Sequence, residues 1–188
     1  MDYVSDEDLF KKVKNGNKEA MEFIVRRYYK NIFRYIYIKI KDYHTSQDIC
    51  QEVFCKVYEK RKSYLEEYLF KPWLYKIAYN SVVDYTRSKI YKNRNSITYL
   101  HEDIKEKDNV IEYKIINNNI DDLIEDLNEI QKEVLKFRFC ESMSIEDIAL
   151  ITGSSLNTTK SRLYQGIKHI KSKLQSVRGG DSYEERVK

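Results

Sequence analysis

Met21, Ile24, Val25, Tyr28, Ile32 and Ile36 recur at steps of three and four residues, the spacing that stacks apolar side chains along one face of an α-helix. A strand cannot use that pattern, because its side chains change face at every residue. A long amphipathic helix is therefore predicted from about Lys18 to Lys41. The same rhythm returns in Ile49, Val53, Phe54, Val57 and Tyr58, and again in Leu123, Leu127, Ile130, Val134, Leu135 and Phe139. With 5 Gly and 1 Pro among 188 residues, the turn-rich composition of a β-sandwich is missing. An all-α fold follows, and the length suits one ordinary domain or two small ones of roughly 70 to 90 residues each.

The helix boundaries come from short polar signals. Ser5-x-x-Asp8 reads as a cap opening a first helix that stops near Asn15-Gly16-Asn17. Asp42 to Ser46 reads as a loop, with Thr45 or Ser46 capping the helix that follows. The pattern breaks from about Lys62 to Lys71, and Pro72 suits the first position of a helix running to about Arg87. On that helix Trp73, Leu74, Ile77, Ala78, Val82 and Tyr85 fall on one side, and Lys76, Asn80, Asp84 and Arg87 on the other. Residues 88–120 are rich in Asn, Lys and Asp without clean periodicity, so a linker is expected there.

Charge is distributed unevenly although the net value is only +4. No acid occurs from Ile148 to Gly180, where Lys160, Arg162, Lys168, Lys171, Lys173 and Arg178 lie. Lys71 to Arg94 is also basic, whereas Glu102 to Glu133 is strongly acidic. Two basic zones around an acidic middle suit two anionic contacts, although solvated helix faces would explain the charge alone equally well.

Cys50, Cys55 and Cys140 lack the spacing of a zinc site and make an odd number, which fits a reducing cytoplasm better than a disulfide framework. The longest apolar runs fall far short of the roughly 20 residues that span a bilayer, and no signal peptide opens the chain. His44, Asp48 and Glu52 stand four residues apart like metal ligands, but His44 is expected in the loop and no partner helix completes a site. No Ser/His/Asp set or Gly-rich phosphate loop is present, so neither an enzyme nor a cofactor is expected. A metal-dependent hydrolase built on Asp48 and Glu52 would lack its other ligands.

Ile145 to Leu174 has the spacing of a helix-turn-helix. Ser144-x-x-Asp147 opens the first helix, Ala149 is small where the helices approach, and Gly153 can take the left-handed turn conformation. Leu156, Thr159, Leu163, Ile167, Ile170 and Leu174 would form the buried stripe of the second helix. Thr158, Lys160, Ser161, Arg162, Tyr164, Gln165 and Lys168 are left outward, a mixture of cations for phosphates and hydrogen-bonding groups for base edges. A plain helical hairpin would not need acid excluded for so long. In the N-terminal half, Lys76, Asn80 and Arg87 beside a loop carrying Tyr64 and Tyr68 offer phosphate contacts and surfaces for unstacked bases. Phe70 and Trp73 are expected in the core.

These residues resemble the extracytoplasmic-function group of sigma factors, in the sigma-70 family. Asp48-Ile-Cys-Gln51-Glu52-Val-Phe54 is similar to the family's D-x-x-Q-E-x-F polymerase-binding segment. Phe70-x-x-Trp73-Leu74-x-x-Ile77-Ala78-x-Asn80-x-x-x-Asp84-x-x-Arg87 resembles its minus-ten reading helix, and Thr158-Thr-Lys160-Ser161-Arg162-Leu163 its T-V-K-S-R-L recognition helix. With the three motifs in the family's order, on the expected helices and separated by a linker, the resemblance covers most of residues 5 to 174.

The resemblance implies a region 2 domain over 1–90, a linker over 91–120, a region 4 domain over 121–175 and a tail over 176–188. It implies that Asp48, Gln51, Glu52 and Phe54 meet the clamp helices of the largest subunit of core RNA polymerase, whose flap is a further contact. Tyr64, Tyr68, Lys76, Asn80 and Arg87 would capture the minus-ten element of promoter DNA. Thr158, Lys160, Ser161, Arg162, Tyr164, Gln165 and Lys168 would read the minus-thirty-five element. An anti-sigma factor is a further candidate partner, and the linker would follow the polymerase channel toward the RNA exit. Thr159 stands where the family usually has Val and Gln165 where a cation is common, which bears on base preference. The rival reading is a helix-turn-helix regulator with a sensory N-terminal half, which explains the C-terminal half equally well but not the basic helix at 72–87.

Overall fold

The computed structural model describes residues 4–93 and 123–184. Every regular element among them is helical, and the chain divides into two compact units, the first built on the N-terminal helices. In that unit α1 spans Asp6–Lys14, α2 Lys18–Ile40, α3 Tyr43–Glu59 and α4 Phe70–Asn93, with a 3-10 turn over Lys60–Ser63. The second unit contains α5, Glu129–Phe139, the start of α6, Ile145–Thr152, and α7, Leu156–Glu184.

α1 begins where its cap was expected: Ser5 Oγ accepts from Asp8 N at 3.1 Å. Its first turn holds Asp6, Glu7 and Asp8 and its last Lys11, Lys12 and Lys14, the order that complements a helix dipole. Gly16, at φ +87°, turns the chain into α2, where Asn17 caps Ala20 N at 2.7 Å. Ala20, Ile24, Tyr28, Ile32 and Ile36 are buried at four-residue spacing, so α2 is the spine of this unit. Asp6 ties α1 to it through Arg27 and the Tyr28 hydroxyl.

The entry to α3 corrects the sequence reading. Lys41 takes a left-handed conformation at φ 56°, and Asp42 caps α3 by accepting from Thr45 N at 2.7 Å. Hydrogen bonds from the Thr45 side chain first, and then from its backbone N–H, hold the Asp42 carboxyl below its usual pKa. The short Asp42 side chain already satisfies the first turn, so Thr45 and Ser46 are inside the helix, and so is His44. Ile49, Cys50, Val53, Phe54 and Val57 bury one side of α3 against α2 and α4. Burial pushes the Cys50 thiol up to about 12, which leaves it a small apolar filler.

α4 starts two residues earlier than expected and runs past Arg87 to Asn93. Pro72 still lies in its first turn, where a missing N–H costs no helical hydrogen bond. Phe70, Leu74, Tyr75, Ile77, Ala78 and Val82 are buried, each large one contributing about 1.5–3 kcal/mol. The expected linker over 91–120 lies outside the described residues apart from the end of α4.

In the second unit Asn128 caps α5 by accepting from Gln131 N at 2.9 Å, later than the Leu123 start the periodicity suggests. Ser144 and Asp147 form the expected capping box on α6, with Asp147 N to Ser144 Oγ at 3.0 Å and Ser144 N to Asp147 Oδ2 at 3.1 Å. Gly153 ends α6 at φ +62° and donates to the Ala149 carbonyl. Ser155 then starts α7, its hydroxyl accepting from Thr158 N at 3.1 Å.

Candidate functional site

α7 packs on α5 along a narrower stripe than the apolar pattern suggests. Thr159 and Leu163 are buried, Ile167 and Ile170 are half-buried, and Leu156 and Leu174 are exposed. The two helices pack tightly at Gly166, where a Cβ would lie 2.8 Å from Leu135 Cδ1. Thr159 satisfies its buried hydroxyl by donating to the Ser155 carbonyl at 3.0 Å, so the residue that replaces Val adds a local hydrogen bond at the helix start.

The opposite face of α7 carries Asn157, Lys160, Ser161, Tyr164, Gln165 and Lys168, all exposed and spaced to share one side of a helix. Tyr164 is 70% exposed, a large aromatic surface. Gln165 is held at its edge by Gln131 of α5 at 2.9 Å and by Ser161 at 3.4 Å. Arg162 departs from its expected place. It is half-buried on the flank, and its Nη1 donates to Ser154 Oγ at 2.6 Å, across the turn before α7. Thr158 lies on the same flank, its hydroxyl 2.8 Å from that of Ser155. Asn157 was missed by sequence reasoning, although its position three residues before Lys160 could have found it.

On α4, Lys76, Asn80 and Arg87 project along one side, Lys76 half-buried and the other two exposed. Trp73 falls beside them. Its ring packs on Phe10 and Tyr64 at centroid distances of 5.2 Å, yet it stays partly exposed, so the expected core placement holds for Phe70 and only in part for Trp73.

The loop before α4 divides differently from the sequence reading. Tyr64 is only 1% exposed, packed edge-on against Phe10 at 5.1 Å, and its hydroxyl donates to the Tyr68 carbonyl. Burial first, then the Glu7, Glu66 and Asp6 carboxylates, pushes the phenol up to about 12 and keeps it a donor. It therefore cannot present its ring to a base. Tyr68 is 45% exposed, and Leu65 and Leu69, which sequence reasoning passed over, are more exposed still. The exposed Lys60 and Lys62 of the 3-10 turn add charge next to this loop.

α3 presents His44, Asp48, Gln51, Glu52, Cys55 and Glu59 on its exposed side. Phe54 is buried at 7% and lies against Tyr29, with ring centroids 6.3 Å apart. Its expected role as an exposed contact is thereby corrected: three of the four residues assigned to this face are surface groups, and Phe54 shapes the helix from behind. Glu52 is paired with Lys56 at 2.6 Å, an exposed i,i+4 bridge of small energetic weight. Although His44, Asp48 and Glu52 do share a helical face, no cluster of three metal-ligating side chains occurs among the described residues. No described helix is long and apolar enough to cross a membrane.

Comparison with known proteins matches two separate stretches of the chain. Residues 24–89 match the model of sigma-70 region 2, and residues 117–170 that of sigma-70 region 4. The ECF RNA polymerase sigma-E factor of Haemophilus influenzae is 28% identical over 188 residues, covering 93% of this chain and 97% of the relative. The ECF RNA polymerase sigma factor SigW of Bacillus subtilis is 26% identical over 183 residues, covering 89% and 95%. Among solved structures, CnrH in complex with the cytosolic domain of CnrY shares the fold at a TM-score of 0.63 and 16% identity, over 92% of this chain and 99% of that one. The sigma factor RpoE of Bartonella quintana, in complex with the anti-sigma factor NepR, does so at 0.63 and 18% identity, over 82% and 96%.

Proposed function

The chain belongs to the sigma-70 family, in its extracytoplasmic-function group, and as an RNA polymerase sigma factor it directs promoter recognition; we propose that it divides this work between its two units. In this reading α4 and the loop before it take the minus-ten element. Lys76 and Arg87 engage phosphates, Asn80 a base edge, and Tyr68 with Leu65 and Leu69 an unstacked base. Asn157, Lys160, Ser161, Tyr164 and Gln165 on α7 read the minus-thirty-five element in the major groove, with Lys168 on a phosphate. Arg162 and Thr158 act at the flank, where they also secure the start of the helix. Asp48, Gln51 and Glu52 on α3 meet core polymerase. The observation that carries this division is the presence of two outward faces, on α4 and α7, each joining cations to hydrogen-bonding side chains.

A regulator with a sensory N-terminal half has no comparable support, because residues 24–89 themselves match sigma-70 region 2. The reading includes action in the cytoplasm, without catalysis by the chain itself, and control by an anti-sigma partner such as the one that holds RpoE of Bartonella quintana. The polymerase face is tested by retention of core RNA polymerase on the tagged chain. Glu52→Lys should lower retention about tenfold or more while leaving helicity unchanged, because it reverses a charge on an exposed face. Retention equal to that of the parent would remove α3 from the polymerase contact.

A further inference from the structure

The outer side of α1 does not simply fill the first unit. Glu7, Phe10, Lys11 and Lys14 stand at i, i+3, i+4 and i+7, so they form one face of this helix, and all four reach the segment around residues 64–70. Glu7 Oε1 accepts from Phe70 N at 3.1 Å and so satisfies a backbone donor at the start of α4. Lys14 Nζ donates to the Tyr64 carbonyl at 3.1 Å and to Glu66 Oε1 at 3.2 Å, with Lys11 3.6 Å from the same carboxylate. Between them the Phe10 ring meets those of Tyr64 and Phe70, at 5.1 and 4.6 Å.

The segment is thus fastened at both ends and through its middle, and Tyr64 closes it internally by donating to the Tyr68 carbonyl. Its inward rings also meet Tyr28 of α2 and Trp73 of α4, but the polar anchors at its two ends come from α1, whereas Leu65, Tyr68 and Leu69 are left facing out. Charge-assisted hydrogen bonds to backbone groups fix geometry more strongly than neutral ones. α1 lies wholly before residue 24, where the match to sigma-70 region 2 begins.

We propose that α1 is a brace that preorganises the 64–69 loop for strand capture, with Glu7 and Lys14 as its positioning residues. Neither residue touches DNA in this account. Their effect is to remove alternative conformations that the loop would otherwise have to give up when an unstacked base arrives. The proposal rests on the reading of that loop as the minus-ten capture surface, and its test separates the two ideas.

Glu7→Ala and Lys14→Met remove the two anchors, whereas Glu7→Gln and Lys14→Arg keep an acceptor and a donor. In the free full-length chain, amide exchange at Phe70 should quicken roughly tenfold in Glu7→Ala, with Ile24 and Ile32 in α2 unchanged. With saturating core polymerase on promoter DNA, Glu7→Ala and Lys14→Met should lower permanganate reactivity of the opened thymines roughly tenfold, and the two conservative variants should recover most of it. Core retention and initial duplex binding should stay within about twofold throughout.

Opening at the parental level in Glu7→Ala and Lys14→Met overturns the brace while leaving strand capture intact. Equal acceleration of exchange at Phe70, Ile24 and Ile32 also overturns it, since α1 would then support the whole unit. If instead Leu65→Ala, Tyr68→Ala and Leu69→Ala together leave opening unchanged, the capture reading fails and the brace fails with it.

Discussion

Gly166 marks a tight contact of α7 with α5, because the Leu135 side chain occupies the space that a Cβ there would take. A Cβ would lie 2.8, 3.1 and 3.2 Å from three side-chain atoms of Leu135, itself fully buried and unable to swing away freely. Gly166→Ala gains about 1 kcal/mol of helix propensity, but overpacking costs about 1–3 kcal/mol. The net expectation is a loss of about 1 kcal/mol, read as a lower urea midpoint with an unchanged slope. A raised midpoint would show that the two helices have room to spare. A glycine inside a helical pattern was the available signal for this contact, and apolar periodicity alone passed over it. Tyr64 carries the opposite lesson: in the sequence it is one aromatic of a loop, and only its packing among Phe10, Phe70 and Trp73 makes it core. Replacing it would therefore remove a buried aromatic, at about 3–5 kcal/mol, before testing any contact with DNA.

At the scale of elements, long amphipathic helices and their caps were legible because both are written in neighbouring residues. Ser5, Ser144 and Gly153 act as their positions predict, and of the expected α2 stripe Ile24, Tyr28, Ile32 and Ile36 are buried while Met21 and Val25 are half-buried at its edge. The start of α3 was not legible, because Asp42, Thr45 and Ser46 are all competent caps and the choice among them depends on how Lys41 leaves α2. α7 shows the same limit on its surface. Its outward face was readable from the exclusion of acids, but the bond from Arg162 to Ser154 crosses eight residues and a turn.

That bond separates the expected effects of substitution. Lys168→Ala in the full-length chain should weaken binding to all DNA sequences and flatten its salt dependence by about one unit of slope. Ser161→Ala and Lys160→Ala should instead act on the preferred site by about 1–3 kcal/mol and hardly at all on unrelated DNA. Arg162→Ala should resemble neither, lowering the thermal stability of the second unit together with site binding. Uniform losses across DNA sequences in every variant would mean that α7 reads no bases.

For the whole molecule, the division of labour follows from what each surface can supply. A base stacked on Tyr68 gains roughly 1 to 3 kcal/mol, whereas unpairing and unstacking it costs a few kcal/mol, so the first unit alone does not open a duplex. Core polymerase must contribute the remainder, and the α3 face is its proposed contact with the chain. The two-unit plan was legible because helix signals stop after α4 and resume before α5, but the account of each surface required knowing which loop residues turn inward. The most direct test is permanganate reactivity of promoter thymines near the start site, measured with the chain alone, with core alone and with both. Reactivity is expected only with both, reduced by Asn80→Ala or Tyr68→Ala more than initial duplex binding is reduced. No opening of any promoter from the source genome by the reconstituted enzyme, or tight binding of duplex DNA by the chain without polymerase, would contradict it.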